Sequence, residues 1–364
     1  MTQQVEVDAD RAGAFVQRLF DAALSAIDVF TVYIGDRLGL YAALAEHGAL
    51  TASQLAEVAG IDPRYAREWL EQQAVTGFIT VDDAAAAVDD RRFSLPVEHA
   101  AALIDPDSEL SIAPVARAVA SVGVVLPKLL EAYRTGGGVP WAAYGADGIE
   151  SQGDFNRPWI RASLASEYLP AVADVHEKLT SGARVVDVAC GVGWAGVTIA
   201  GGYPNTSVVG LDPDDSSIAI ARRLGAEHGV SERTTFEVHD CTQPLPGGPF
   251  DLALMIEALH DVAQPVAVLS RIRESLAPGG TVIIADERVG ETFTAPSDET
   301  ERFMYGASVL ICLPAGMSEQ PSAATGTVIR PATLTAYATD AGFSRVEILD
   351  QIDHPMLRFY RLHA

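Results

Sequence analysis

The sequence predicts an α/β fold, a largely parallel sheet covered on both faces by helices and preceded by a mainly helical domain. Three observations predict it. From residue 183 onward, short apolar runs alternate with helical stretches, the pattern of strands buried between helix layers. Ahead of residue 110, helical periodicities follow one another and end in two short strand-like runs, the order of a winged helix. At 364 residues, the chain is long enough for two domains, each with its own core.

Composition sets the limits. Hydrophobic residues make up 48% and charged residues 20%, a globular balance. Asp and Glu number 49 against 25 Lys and Arg, a formal net charge of -24. Such a chain has few cations with which to neutralise phosphate, so neither nucleic acid nor an anionic membrane is an expected partner. Cys190, Cys241 and Cys312 are the three cysteines, with no CxxC spacing, so neither a disulfide framework nor a zinc site is expected. No signal peptide is read at the acidic, polar start, and no run is read as reaching the roughly 18–20 apolar residues of a bilayer span. A cytoplasmic protein is the expectation.

Three parts are expected: a winged-helix dimerisation domain over residues 1–110, a helical connector contributing to a substrate pocket over 111–180, and a catalytic domain over 181–364. In the first part, Phe15, Leu19, Ala22, Ala23, Ala26, Ile27 and Phe30 recur at helical spacing. Thr51 suits a helix N-cap, Pro63 the first turn of a helix running to Thr76, and Gly77 its end. The runs 78–81 and 92–95 then form the hairpin. A DNA-reading third helix needs basic residues, but Glu68 and Glu71 accompany Arg64 and Arg67, and Asp82, Asp83, Asp89 and Asp90 occupy the wing. The alternative use of the module is dimerisation, and a homodimer is expected through the apolar helices at 14–46. In the connector, residues 111–135 read as helix, 133–151 as loop, and 154–179 as a helix broken or bent by Pro158 and Pro170.

In the third part, strands are predicted at 184–188, 207–212, 234–239, 250–256 and 281–286, with a closing hairpin at 346–349 and 359–362. Helices are predicted at 195–201, 216–228 and 265–276. The first of these strands runs into Asp187-x-x-Cys190-Gly191-x-Gly193-x-x-Gly196. Glycines at this turn allow a tight bend and the close approach of a ligand to the N-terminus of the next helix. Asp212 ends the second strand, where a carboxylate can accept from both hydroxyls of a ribose. Asp240, which ends the third, can accept from an adenine amino group. The glycine spacing alone also fits a dinucleotide fingerprint, which keeps a nicotinamide-dependent oxidoreductase open. Asp187 argues for a cationic ligand instead, because it would repel a pyrophosphate.

Together with Leu276-Ala277-Pro278-Gly279-Gly280 before an apolar strand and Ala341-Gly342-Phe343 near the end, these motifs resemble the class I S-adenosylmethionine (SAM)-dependent methyltransferases. With the winged-helix front end, the likeness is to small-molecule O-methyltransferases of the plant caffeate and bacterial polyketide type. The resemblance implies a Rossmann-like seven-stranded sheet, SAM as cofactor and a small acceptor, aromatic or polyketide-like. It implies a cofactor site built from Asp187, Gly191, Gly193, Asp212, Asp240, Cys241 and Glu257. The Leu259-His260-Asp261 element stands where those relatives keep a catalytic base, so His260 is the candidate base, with Glu287 and Glu291 as candidates to orient it. The Trp that follows His-Asp in the plant type is Val262 here. Phe155, Trp159, Tyr168, Phe303, Met304, Tyr305 and Met317 are candidate acceptor-lining residues, and no metal ligand is expected. Relatives of this fold also methylate nitrogen or carbon, and some have dropped methylation, so those chemistries stay open alongside O-methylation.

Overall fold

A computed structural model describes residues 7–364. The chain divides into two compact units meeting between Ala120 and Ser121.

The first unit opens with α1 (Ala9–Arg37), capped by the Asp8 carboxylate. It continues through α2 (Leu40–His47), α3 (Ala52–Ala59) and α4 (Pro63–Thr76). Thr51 and Gln54 form a reciprocal capping box on α3, and Asp62 caps α4 with Pro63 in the first turn. The pair β1 (Thr80–Val81) and β2 (Phe93–Ser94) is antiparallel, followed by α5 (Val97–Leu103). The core packs Leu40, Tyr41, Leu44, Leu55, Trp69, Leu70, Ile79 and Phe93. Gly35 lets the end of α1 settle on it, since a Cβ there would come within 2.5 Å of Trp69 and Tyr41. Trp69 Nε1 donates to the Thr31 carbonyl at 3.0 Å, which fixes the crossing. Along most of its length α1 is otherwise exposed, including Phe15, Leu19, Phe20, Ile27 and Phe30.

From Ala113 to Thr135 runs α6. Contrary to the expectation that no segment is apolar enough, its length and composition would allow a bilayer crossing. Its Val125 and Leu129 are buried with Val139 and Tyr144. The segment expected as loop up to residue 151 is already helical from residue 145, in α7 (Gly145–Trp159). Pro158 does not break this helix. The chain continues into a π-helical stretch, Ile160–Tyr168. The break comes around Pro170, before α8 (Ala173–Ser181).

The second unit holds the sheet. Its strands are β3 (Arg184–Val188), β4 (Ser207–Asp212), β5 (Thr234–Val238), β6 (Phe250–Ile256), β7 (Leu276–Glu287), β8 (Arg345–Ile348) and β9 (Leu357–His363). Helices α9 (Trp194–Gly202), α10 (Asp215–Glu227), α11 (Pro265–Glu274), α12 (Glu299–Ala307), α13 (Leu313–Gly316) and α14 (Pro331–Asp340) connect them. The seven strands lie in the order β5-β4-β3-β6-β7-β9-β8. Only β9 runs antiparallel to its neighbours, closing the edge with β8 as the predicted hairpin. Residues alternate between two cores. Val185, Leu252, Leu254 and Ile283 face Leu164, Val175, Ile199 and Ile218. Val186, Ala253, Met255 and Ile284 face Leu269, Ile272 and Leu334 on the other side. The chain steps outward from β3 to β5 and returns to β6 on the opposite side of β3. The strand order therefore reverses between β3 and β6, and a crevice opens beyond their carboxyl ends.

Candidate functional site

The two non-glycine residues with positive φ nearest that crevice are Ala189 (φ 54) after β3 and Glu257 (φ 47) after β6. Such backbone is uncommon outside glycine and is held only where the surroundings enforce it. The turn after β3 uses its glycines for distinct purposes. Gly191 (φ 51) has open space where a Cβ would stand. Gly193 (φ 85) lies under α9, where a Cβ would come within 2.7 Å of Ala221 and 2.9 Å of Phe236. Gly196 lets α9 approach β4, its would-be Cβ 3.2 Å from Val208. The N–H of Gly191 donates to Asp212 Oδ2 at 2.8 Å and that of Asp214 to Oδ1 at 2.9 Å, so this carboxylate ties the β3 and β4 turns together.

Asp187 is buried in β3 and its Oδ2 has no hydrogen-bond partner. Burial pushes its pKa up to about 7, against the N–H of Gly196 that lowers it, with the nearby Asp212 charge adding to the rise. Burial likewise raises Asp212 to about 6. An orphaned, buried carboxylate oxygen beside a second carboxylate and an open glycine bend fits a ligand with a cationic end and sugar hydroxyls. A pyrophosphate would have to sit against both acids. Asp240, expected to meet an adenine, is exposed and accepts from Thr242 N at 2.9 Å and Thr242 Oγ1 at 2.7 Å, an Asx turn at the end of β5. These bonds hold its pKa low. Cys241 is buried, its thiol 3.8 Å from the His239 carbonyl. The carboxylate of Glu257 faces α7, accepting from Gln152 Nε2 at 2.7 Å and Asn156 Nδ2 at 2.6 Å. Burial raises it to about 7, with the Asn156 bond opposing.

His260 lies just beyond, buried, with its Nδ1 2.6 Å from Asp286 Oδ1. The carboxylate hydrogen-bonded to this ring is Asp286; of the two read from sequence, Glu287 lies in the same group, with a carboxylate oxygen within 4.8 Å of a ring nitrogen. Glu291 is exposed, past the end of β7. Glu287 is buried next to Asp286 and has an unpartnered Oε2, and burial followed by the Glu257 charge raises its pKa well above the usual range. The parallel pairing of Ile256 with Ala285 brings the two ends together. Asp286 is held in turn by the N–H of Glu287 at 2.9 Å. His260 Nε2 points the other way, 3.4 Å from Asp261 Oδ1. Burial would lower the imidazole pKa, but the charges of Asp261 and Asp286 outweigh it and leave it well above the ordinary value.

The expected acceptor-lining residues divide. Trp159 Nε1 donates to Asn156 Oδ1 at 2.9 Å, extending the network from Glu257. Its ring and that of Tyr168 pack with Phe359 and His354, at centroid separations from 5.0 to 6.4 Å. Tyr168 is thereby part of the core. Phe155 and Met317 are half-buried. On α12, Met304 faces inward while Phe303 and Tyr305 face outward, the Tyr305 ring 6.3 Å from Phe293. Sequence reading missed Asp286, Gln152 and Asn156, whose importance comes only from the strands and helices that deliver them.

Parts of the chain match known families and proteins. Residues 179–342 match the family described as Methyltransferase domain, and residues 25–104 match the Rv2258c-like winged HTH domain. A probable chloroplastic tocopherol O-methyltransferase of Oryza sativa subsp. japonica is 32% identical over 142 residues, 39% of this chain and 38% of the rice protein. The ubiquinone biosynthesis O-methyltransferase of Pseudomonas syringae pv. tomato is 27% identical over 187 residues, covering 50% of this chain and 73% of that one. The mitomycin 7-O-methyltransferase MmcR has a similar fold, with a TM-score of 0.68 at 20% identity over 98% of this chain and 100% of its own. Human N-acetylserotonin methyltransferase, solved in complex with SAM, gives 0.67 at 17% identity over 100% and 99%. The chain thus carries a methyltransferase domain over residues 179–342, preceded by a winged-helix domain over residues 25–104.

Proposed function

We propose that the protein methylates a hydroxyl oxygen of a small aromatic or polyketide-like acceptor, with His260 as general base. The observation that carries this reading is the buried 2.6 Å contact between His260 Nδ1 and Asp286. With Nδ1–H donated to the carboxylate, the lone pair of the neutral ring is on Nε2, the nitrogen left to receive a proton. When bound, SAM supplies an electrophilic sulfonium methyl group. Asp187, Gly191, Gly193 and Asp212 hold it: the orphaned oxygen of Asp187 suits its cationic amino acid part, and Asp212 has lone pairs left for ribose hydroxyls. Asp240, Cys241 and Glu257 complete that site, Glu257 through its tie to α7. His260 removes the acceptor's hydroxyl proton, and Asp286 steadies the resulting imidazolium. Phe155, Trp159 and Met317 shape the apolar side.

A panel of phenols and hydroxylated polycyclic compounds incubated with SAM tests the reading. Gain of one CH2 on oxygen is the expected product, and its absence across the panel together with methylation of amines would overturn it. The pH profile tests the dyad. Only neutral His260 can take a proton, and its pKa is raised by the flanking acids, so the rate climbs with pH to a plateau reached above pH 6.5. Asp286→Asn removes one of the raising charges, so the limb moves to lower pH while the plateau falls. A limb that stays in place excludes Asp286 as the partner that sets it.

We propose also that the protein is a homodimer joined through α1, whose exposed Phe15, Leu19, Phe20, Ile27 and Phe30 form more apolar surface than an isolated chain usually keeps in water. Leu19→Glu with Ile27→Glu is expected to convert the dimer to monomer in sedimentation velocity. A wild-type protein that sediments as a monomer removes the proposal.

A further inference from the structure

We propose that His260 Nε2, Asp261 Oδ1 and Cys312 Sγ form a binding site for a divalent metal ion of the zinc class, one that switches the site off when filled. The three donor atoms lie within 4.8 Å of one another. Nε2 and Asp261 Oδ1 face each other at 3.4 Å, that oxygen is shielded from solvent, and the Cys312 thiol interacts with both side chains. Two ligands on one tetrahedral zinc, at bond lengths of about 2.0–2.3 Å, stand roughly 3.3–3.6 Å apart. The unbonded pair already has that spacing. Imidazole, carboxylate and thiol together are the donor mixture of zinc rather than of magnesium or calcium.

The neighbourhood is built to hold these donors. Cys312 ends a π-helical turn, Ser308–Cys312, a local widening that recurs at functional positions. A Cβ on Gly316 would come within 3.0 Å of the Asp261 carbonyl oxygen, so the segment carrying Cys312 is packed directly on the one carrying Asp261. On the far side of the ring, the 2.6 Å bond from Nδ1 to Asp286 supplies the outer carboxylate that metal-bound histidines commonly carry, fixing the tautomer that leaves Nε2 free to ligate. The Asp261 side chain is 39% exposed, which gives an ion a way in. His260, Asp286 and Glu287 also group within 4.8 Å, but an ion taking Nδ1 there would have to break the Asp286 bond. The Nε2 side keeps it.

Binding releases to solvent the Cys312 proton as the sulfur ligates, and the Nε2 proton where the ring carries one, and it uses the Nε2 lone pair. The filled site cannot accept a proton from an acceptor hydroxyl. The inference therefore connects to the base role of His260 but does not depend on it, since binding is read without acceptor.

The test uses the full-length protein, freed of metal by chelator. Zinc is titrated against a chromophoric chelator, and cobalt(II) is added separately to read ligation by sulfur. One zinc per chain is expected, with a thiolate-to-cobalt charge-transfer band. Cys312→Ser and Cys312→Ala are each expected to weaken zinc at least tenfold and to abolish the band, with an unchanged circular dichroism spectrum. Zinc is expected to inhibit methyl transfer by the wild type, reversibly with chelator, and to spare Cys312→Ser. Equal zinc affinity in wild type and both variants, or a cobalt spectrum without the sulfur band, overturns the site. If zinc binds as expected but His260→Ala still turns over normally, the base assignment falls and the metal site stands.

Discussion

Replacing His260 with alanine is expected to cut kcat by roughly 10²–10⁴-fold, the range of a positioned general base, while SAM affinity stays as it was. The separation follows from where the parts lie. The glycine turn and Asp212 belong to β3 and β4, whereas His260 follows β6 and is anchored to β7 through Asp286. Removing the ring leaves Asp286 without its partner in a fully buried position, a loss of about 1–3 kcal/mol in stability. His260→Gln, which can still donate to Asp286, separates that cost from the chemistry: it should recover stability but not rate. Near-normal turnover in both variants would mean that the attacking atom needs no base, as a neutral amine would not, or that alignment of the reactants alone supplies the acceleration.

Asp212→Ala is expected to abolish measurable SAM binding. This carboxylate does two things at once. It presents its remaining lone pairs to the crevice, and it holds the N–H groups of Gly191 and Asp214, so its loss loosens the turn as well as removing the ribose partner. Two charge-assisted bonds together with the ligand contact correspond to a weakening of about 10²-fold or more. Asp212→Asn, able to keep part of the backbone bonding through its carbonyl oxygen, should fall in between. Protonation acts in the same direction. With the Asp212 pKa pushed up to about 6 by burial, affinity should decline as pH drops through that value, because the neutral acid is the poorer acceptor. Calorimetry with SAM and with its demethylated product measures both effects. An affinity unmoved by Asp212→Ala would remove the ribose assignment.

Much of this was legible in the chain. The five parallel strands showed as apolar runs because both of their faces are covered, and the closing hairpin showed as two late apolar runs. The turn after β3 was readable because positive φ at Gly191 and Gly193, and close packing under α9, demand glycine there. Asp212 followed from its place at a strand end. Residues 145–151 were misread as loop because Gly145, Gly148 and Gly153 weaken local helix preference. Gly148 and Gly153 are needed instead for contact, since a Cβ would come within 2.7 Å of Tyr144 at the first and 2.3 Å of Val192 at the second.

The sequence by itself determined the layering, the strand sequence up to β7 and the acid-flanked glycine turn, because each rests on periodicity or on backbone geometry that a few neighbouring residues impose. Only the tertiary structure decided that Asp286 hydrogen-bonds His260, that Gln152 and Asn156 bind Glu257, and that Cys312 reaches the same ring from 52 positions further along. Those partnerships depend on strand register, where a slip of one residue reverses the face a side chain takes, and on helices that return to the crevice from distant parts of the chain.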